Sequence, residues 1–500
     1  MRRREFLLGS AASAGLLLAG RSAYGRRWGE APTESEGLIL APGVRAQRVL
    51  EIFLYGGISP WESFYTVPTY GTPNDPDHPN QQFHLFRNQH QAVFSEYCGL
   101  AESQWTQPFA LDADGAQVHL GPLAMPLRNR PDLVARMRTI VLRHGLEPHE
   151  AAIPLALSGM RLGSPRLVGM GAHIQRHFME FDPRPEPYSY VLQPENIIGT
   201  DNTRAADAIG LHPGAARPLA LKINRSQSFL TQLDRANLGN RRAAWDALAS
   251  HYAEASRDRY RATDTPLRSA GLDDHASAYA SIQRSDAIRS VLGDDFMNPR
   301  SGESCGDSAE LAFTTMGLDA AVRLLTHPTS PARYVNVVDS GLRLADGGGG
   351  YDTHSEHLYT QSRNTLFMLE DLVSRINAPG ENDPSKIDLD DTLIVLTTEF
   401  GRTPFRQEGG QGTNHHPYGY VNVVLGGPIG PDQAGIVGAI GPDGTATDWV
   451  TPSELRAALL AAVGIYPFTH ESFAVGDVRD VPTERDALAL LQERVLGRPA

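Results

Sequence analysis

Three motifs between Gly347 and Tyr420 decide how this chain reads: GGGGYDTHSEH (Gly347–His357), DTLIVLTTEFGRTP (Asp391–Pro404) and QGTNHHPYGY (Gln411–Tyr420). The run Thr392–Thr398 has the composition of a strand buried on both faces. It ends on a carboxylate, Glu399. A carboxylate at the end of a buried strand must sit in a cleft, be paired, or hold a metal. Between the first two motifs Leu358, Thr365, Leu366, Leu369, Leu372, Val373 and Ile376 recur at helical spacing, which predicts a helix laid on the sheet.

The polar residues of these motifs are metal ligands by type. Asp352 and His354 are two apart, so on an extended loop they share a side. His415 and His416 are adjacent and should point apart, one to a metal and the other to a supporting contact or to substrate. Imidazole and carboxylate together suit Zn²⁺, whereas Mg²⁺ and Ca²⁺ favour oxygen. A divalent metal, Zn, Mg or Ca, is therefore expected on Asp352, His354, Glu399 and one of His415 and His416. Arg402, three residues after Glu399, fits either of two roles: a bidentate cation for a tetrahedral anion, or a brace for the loop through Glu399.

Outward from this core, Arg48–Tyr55 and Arg138–His144 read as further strands, each followed by polar residues. Glu150–Leu157 reads as a helix opening after Pro148 and His149. Tyr334–Asp339 and Tyr420–Gly427 read as strands, and Ser453–Ile465 as a closing helix started by Thr451 or Ser453. Residues 202–294 carry apolar residues at three- and four-residue spacing and predict a helical insertion. Strands alternating with helices predict an α/β domain over 48–500 with a mostly parallel sheet, flanked by helices. Ligands of such sheets lie beyond the strands' C-terminal ends. Four polar clusters, Ser59–Glu62, His144–His149, Asp352–His357 and Glu399–Arg402, then converge on one edge.

Composition sets the outer bounds. The 500 residues are 41% hydrophobic and 21% charged, an ordinary globular balance. The formal net charge of -13, without a Lys/Arg stripe, argues against nucleic-acid binding. A small anionic ester or an exported protein partner remains compatible. Residues 1–25 open with Arg2, Arg3 and Arg4, followed by a short apolar run. They are similar to a twin-arginine export signal with a cut after Gly25. Residues 26–47 then read as a linker, and the mature chain has no transmembrane segment and is expected in the periplasm or outside the cell. Cys98 and Cys305 form no zinc motif; a disulfide and two thiols both fit.

The blocks GGISPWESF (56–64), HGLEPHEAAIPLALSGMRLGSP (144–165), YDTHSEH (351–357), TTEFGRTP (397–404), GTNHHP (412–417) and VVLGGPI (423–429), in that order, resemble the exported bacterial family called domain of unknown function 1501. That family is related to the alkaline phosphatase and sulfatase superfamily. The resemblance implies an alkaline-phosphatase-like fold, with metal ligands after the strands ending near Tyr55, Asp339 and Thr398 and in the GTNHHP loop. It adds Glu62 as the carboxylate nearest the first strand and His149 at the position of the nucleophile, where it would act as base or nucleophile. The chain departs from the pattern at Gly56 and Gly57, where an aspartate is common, and at Asn414, where relatives usually carry Asp. Ser59 and Ser158 fit either a hydroxyl nucleophile or a turn or helix-packing residue. Two functions fit: a metal-dependent phosphate- or sulfate-ester hydrolase using His149 and Arg402, or a non-catalytic exported binding or assembly protein on the same fold.

Overall fold

The computed structural model describes residues 26–71, 94–95, 99–182, 184, 186–194, 217–223, 239–262, 303–304, 307–308, 313–341, 350–407, 410–469 and 471–498. The export signal, both cysteines and Gly347–Gly349 lie outside the described residues. An eight-stranded sheet organises the rest. In chain order its strands are β1 (Arg48–Leu54), β2 (Met137–Leu142), β3 (Ser189–Pro194), β4 (Leu219–Ile223), β5 (Tyr334–Asp339), β6 (Thr392–Thr397), β7 (Tyr420–Gly426) and β8 (Gly435–Val437). Their order across the sheet is β8-β2-β7-β6-β1-β5-β3-β4. β1 pairs in parallel with both β5 and β6, and β5 with β3. Only β7 runs against its neighbours, β6 and β2.

Helices cover both faces, as the alternating pattern requires. Leu50, Ile52 and Leu54 of β1 pack on one side with α4 (Phe313–Leu325) and α5 (Leu358–Ser374). On the other side Val49, Leu393 and Val395 pack with α2 (Met170–Phe181), α6 (Pro452–Ala462) and α7 (Glu484–Arg494). Phe53 and Tyr55 pack there against α1 (His149–Ser158). β1 and β6 are thus buried on both faces, which is why both are mostly apolar, the buried part of β1 being broken only by Glu51. Thr451 accepts from the Glu454 backbone and Glu454 from that of Thr451, a capping box that fixes the start of α6.

Two spans differ from the sequence expectation. Residues 202–294 hold the long helix α3 (Arg242–Ala262), but also β4, which completes one edge of the sheet. Residues 26–47 are folded onto the body: Trp28 stacks on His173 at 5.1 Å, and its backbone N–H donates to Glu180 Oε2 at 2.9 Å. Among the described residues no helix is long and apolar enough to cross a membrane.

Candidate metal centre

The C-terminal ends of β1, β2 and β6 meet one polar cluster. β1 runs into Tyr55, Gly56 and Gly57, β6 into Glu399, and β2 leads through His144 to His149, the first residue of α1. Asp352 comes from the loop before α5. A hairpin, Gly401–Arg406 paired with Thr413–His416, sets Arg402 opposite His415. Of the residues anticipated from sequence, His149, Asp352, His354, Glu399, Arg402 and His415 come together.

Asp352 is the hub. Its Oδ1 lies 3.1 Å from His354 Nε2 and 3.2 Å from His415 Nε2, and it accepts from Arg402 Nη2. Its Oδ2 is 3.4 Å from His149 Nε2. Burial alone would raise the Asp352 carboxyl's pKa, but the three histidines and the Arg402 charge hold it far below the usual carboxylate range.

Each histidine has its Nδ1 fixed by an oxygen. His149 Nδ1 is 2.8 Å from Glu399 Oε1, His415 Nδ1 is 2.8 Å from the Glu147 carbonyl, and His354 Nδ1 is 3.0 Å from Gln407 Oε1. A neutral imidazole whose Nδ1 proton is held in this way leaves Nε2 free to ligate a metal, and in the absence of one a proton on Nε2 bridges to Asp352. His354 Nε2 and His415 Nε2 stand only 3.0 Å apart. Acceptors that converge with their outer protons held by oxygen are the arrangement found around metal-bound imidazoles. The ligand atoms of His149, Asp352 and His415 lie within 4.8 Å of one another, and these three residues could hold a metal ion. The donor set, two imidazoles and a carboxylate with a third imidazole alongside, fits Zn²⁺ better than Mg²⁺ or Ca²⁺.

The electrostatics without a cation agree with this. Burial pushes the His149 imidazole down, but hydrogen bonding to Asp352 and Glu399 and their charges overcome it and raise its pKa to about 9. His415 goes the other way: burial lowers it below the usual imidazole value despite Asp352. One imidazolium held between two carboxylates marks where positive charge belongs. The ring of Phe400 stacks on His415 at 4.2 Å and lies 5.0 Å from His149, giving the cluster an apolar wall.

Behind the cluster, Glu399 and Arg402 are fully buried. Glu399 Oε1 also accepts from the Gly56 backbone at 2.9 Å. The His144 Nδ1 accepts from Leu146 N, so its Nε2 donates to the Glu399 carbonyl at 2.7 Å. The Arg402 guanidinium donates to the Gly56 carbonyl, to the Thr413 carbonyl at 3.0 Å and to Asp352. These contacts hold the guanidinium against Asp352 and three backbone carbonyls, with that of Gly57 at 3.4 Å, rather than against the Glu399 side chain.

Glu62 and His416 face elsewhere. Glu62 is buried, accepts from Ser59 Oγ and lies 3.4 Å from His357 Nε2, within a network that includes Thr353 and Thr413. His416 points away from His415, to the Gly444 carbonyl at 2.8 Å. Both candidate hydroxyls are buried and bonded, Ser59 to Glu62 and Ser158 to the Pro154 carbonyl.

The Gly56–Gly57 departure has a steric cause. Gly56 has φ +113, and a Cβ there would overlap the backbone of Asp352. No aspartate side chain can start from this position while Asp352 sits where it does. Sequence reasoning missed Gln407, the Glu147 carbonyl and the supporting role of His144. Only His144 carried a signal, its place at the end of a strand.

Fold and site together define a mixed α/β protein with a histidine–carboxylate centre able to hold a metal ion. Residues 329–478 match the model of the family described as Protein of unknown function (DUF1501), and over that segment the chain resembles this family. The match takes in Asp352, His354, Glu399, Arg402 and His415 but not His149. No curated protein matches the chain.

Proposed function

We propose that this is an exported metal-dependent hydrolase of phosphate or sulfate esters, of alkaline-phosphatase-like ancestry. One observation carries the reading: three imidazole Nε2 atoms, each with its Nδ1 held by an oxygen, converge on a single carboxylate. His149, Asp352 and His415 are assigned as ligands, with His354 beside them as a fourth. A bound divalent ion would supply Lewis-acid polarisation of an ester oxygen and acidify water. Glu399 orients His149 and raises its basicity, and Arg402 keeps Asp352 turned toward the histidines. His354, its side chain 38% exposed, faces the open side, where substrate and water arrive. With Ser59 and Ser158 buried, water is the nucleophile in this reading. The export assignment rests on the twin-arginine signature at Arg3 and Arg4.

A second reading, a non-catalytic exported binding protein on the same fold, is favoured by Gly56, which bars a carboxylate from the first strand. Metal analysis of the folded protein, followed by aryl phosphate and aryl sulfate assays of wild type beside Glu399→Ala, separates the two. Zinc with turnover that Glu399→Ala abolishes supports the hydrolase. Zinc without turnover supports the binding protein. Protein that takes up no metal and turns over nothing ends the hydrolase reading.

A further inference from the structure

A centre for tetrahedral esters needs a hydrogen-bond donor toward the anion, and Arg402, enclosed and committed to three carbonyls and Asp352, is not free to be it. Tyr55 occupies a better place. It follows β1 directly, its ring stacks on His149 at 5.2 Å and 30°, and it packs on Ile153 and Leu157 of α1. The residue is 4% exposed and its hydroxyl makes no hydrogen bond with the described residues, but the oxygen is not among the buried atoms left without a partner, so it opens to solvent. A buried phenol ordinarily finds a partner. Tyr65, Tyr188, Tyr334, Tyr351 and Tyr466 all do, donating to Asp112, the Asp182 carbonyl, Glu51, Asp339 and Glu484. Tyr420 also makes no hydrogen bond through its hydroxyl, but its ring meets His144 edge-on at 5.3 Å, behind the cluster, whereas that of Tyr55 stacks on His149 itself.

We propose that the Tyr55 hydroxyl donates a hydrogen bond to a tetrahedral oxyanion bound at the His149–Asp352–His415 centre, an inference that rests on the ester reading above. An ordinary phenol is protonated at neutral pH and so can donate. The group acts on substrate, leaving the metal ligands as they are. Replacing Tyr55 by Phe keeps the ring stacked on His149 and removes only the donor.

Calorimetric titration of wild type and Tyr55→Phe, first with zinc and then, zinc-loaded, with inorganic phosphate and sulfate, tests this. Expected is unchanged zinc affinity and melting temperature in Tyr55→Phe, with phosphate affinity about tenfold weaker. Equal phosphate affinity in the two proteins overturns the Tyr55 assignment and leaves the ester reading standing. Zinc uptake with no phosphate or sulfate binding in wild type overturns both. A loss of zinc in Tyr55→Phe overturns the assignment too, because the residue would then be supporting the ligands rather than meeting substrate.

Discussion

At the scale of single residues, His149 is the group whose state reports on the centre. Its imidazole is held at about pKa 9 by Asp352 and Glu399 against the opposing effect of burial. A metal ion must displace that proton, so zinc binding at pH 7 should release about one proton per ion from this site, and affinity should climb about tenfold per pH unit up to about pH 9. Calorimetry in buffers of different ionisation enthalpy measures the proton count. Glu399→Gln removes one of the two charges holding the proton and weakens the orientation of His149. Fewer protons released and zinc affinity about 10- to 100-fold lower are expected of it. In the metal-free protein the sign is that of a raised histidine. The stabilisation is complete below the ordinary imidazole pKa of 6.5 and is lost as pH rises through about 9. Melting curves in chelator should fall over that window in wild type and stay flatter in His149→Gln. Zinc uptake without proton release would count against His149 as a ligand.

At the scale of elements, the loop after β1 and the loop before α5 fit only because Gly56 has no side chain. Gly56→Ala places a Cβ against the Asp352 backbone at φ +113, so both steric overlap and backbone strain oppose it. We expect a loss of about 3 kcal/mol in urea unfolding, together with loss of zinc binding, because Asp352 must move to make room. Unchanged stability in Gly56→Ala would show that the two loops are not packed as described. This element also explains what sequence could disclose. Asp352, Glu399 and His415 were legible because their types are ligand types, and Glu399 also because it stands just past a buried strand. The Gly401–Arg406 and Thr413–His416 hairpin was not, since short polar strands such as TNHH carry no apolar alternation. Without that pairing, nothing in the sequence says that Arg402 faces Asp352 or that Gln407 reaches His354. β4, only LALKI, was hidden in the same way by the helical composition around it.

At the scale of the whole molecule, the α/β class was legible because β1, β5, β6 and β7 are long apolar runs, but the device tying the sheet to its helical layer was not. Glu51 sits in the middle of β1, fully buried, and Arg456 of α6 reaches it with Nη2 to Oε1 at 2.6 Å and Nη1 to Oε2 at 2.9 Å. The two are 405 residues apart in sequence. Tyr334 of β5 donates to the same carboxylate at 2.6 Å, and Arg456 Nε to the Ala156 carbonyl at 2.6 Å, so one network joins β1, β5, α1 and α6. Burial would raise the Glu51 carboxyl, but Arg456 and the hydrogen bonds lower it below its usual value. Its contribution is therefore present above the ordinary value near 4.5 and is lost as pH falls through the lower folded one. Arg456→Met alone strands a buried charge and should cost about 3–5 kcal/mol at pH 7. Replacing all three polar groups, Glu51→Leu with Arg456→Met and Tyr334→Phe, leaves no charge to strand and should recover most of that loss. Urea titrations at pH 7 and pH 4 compare them, and the triple variant should lose less stability on acidification than wild type. If Arg456→Met is as stable as wild type at pH 7, the ion pair does not hold α6 to the sheet.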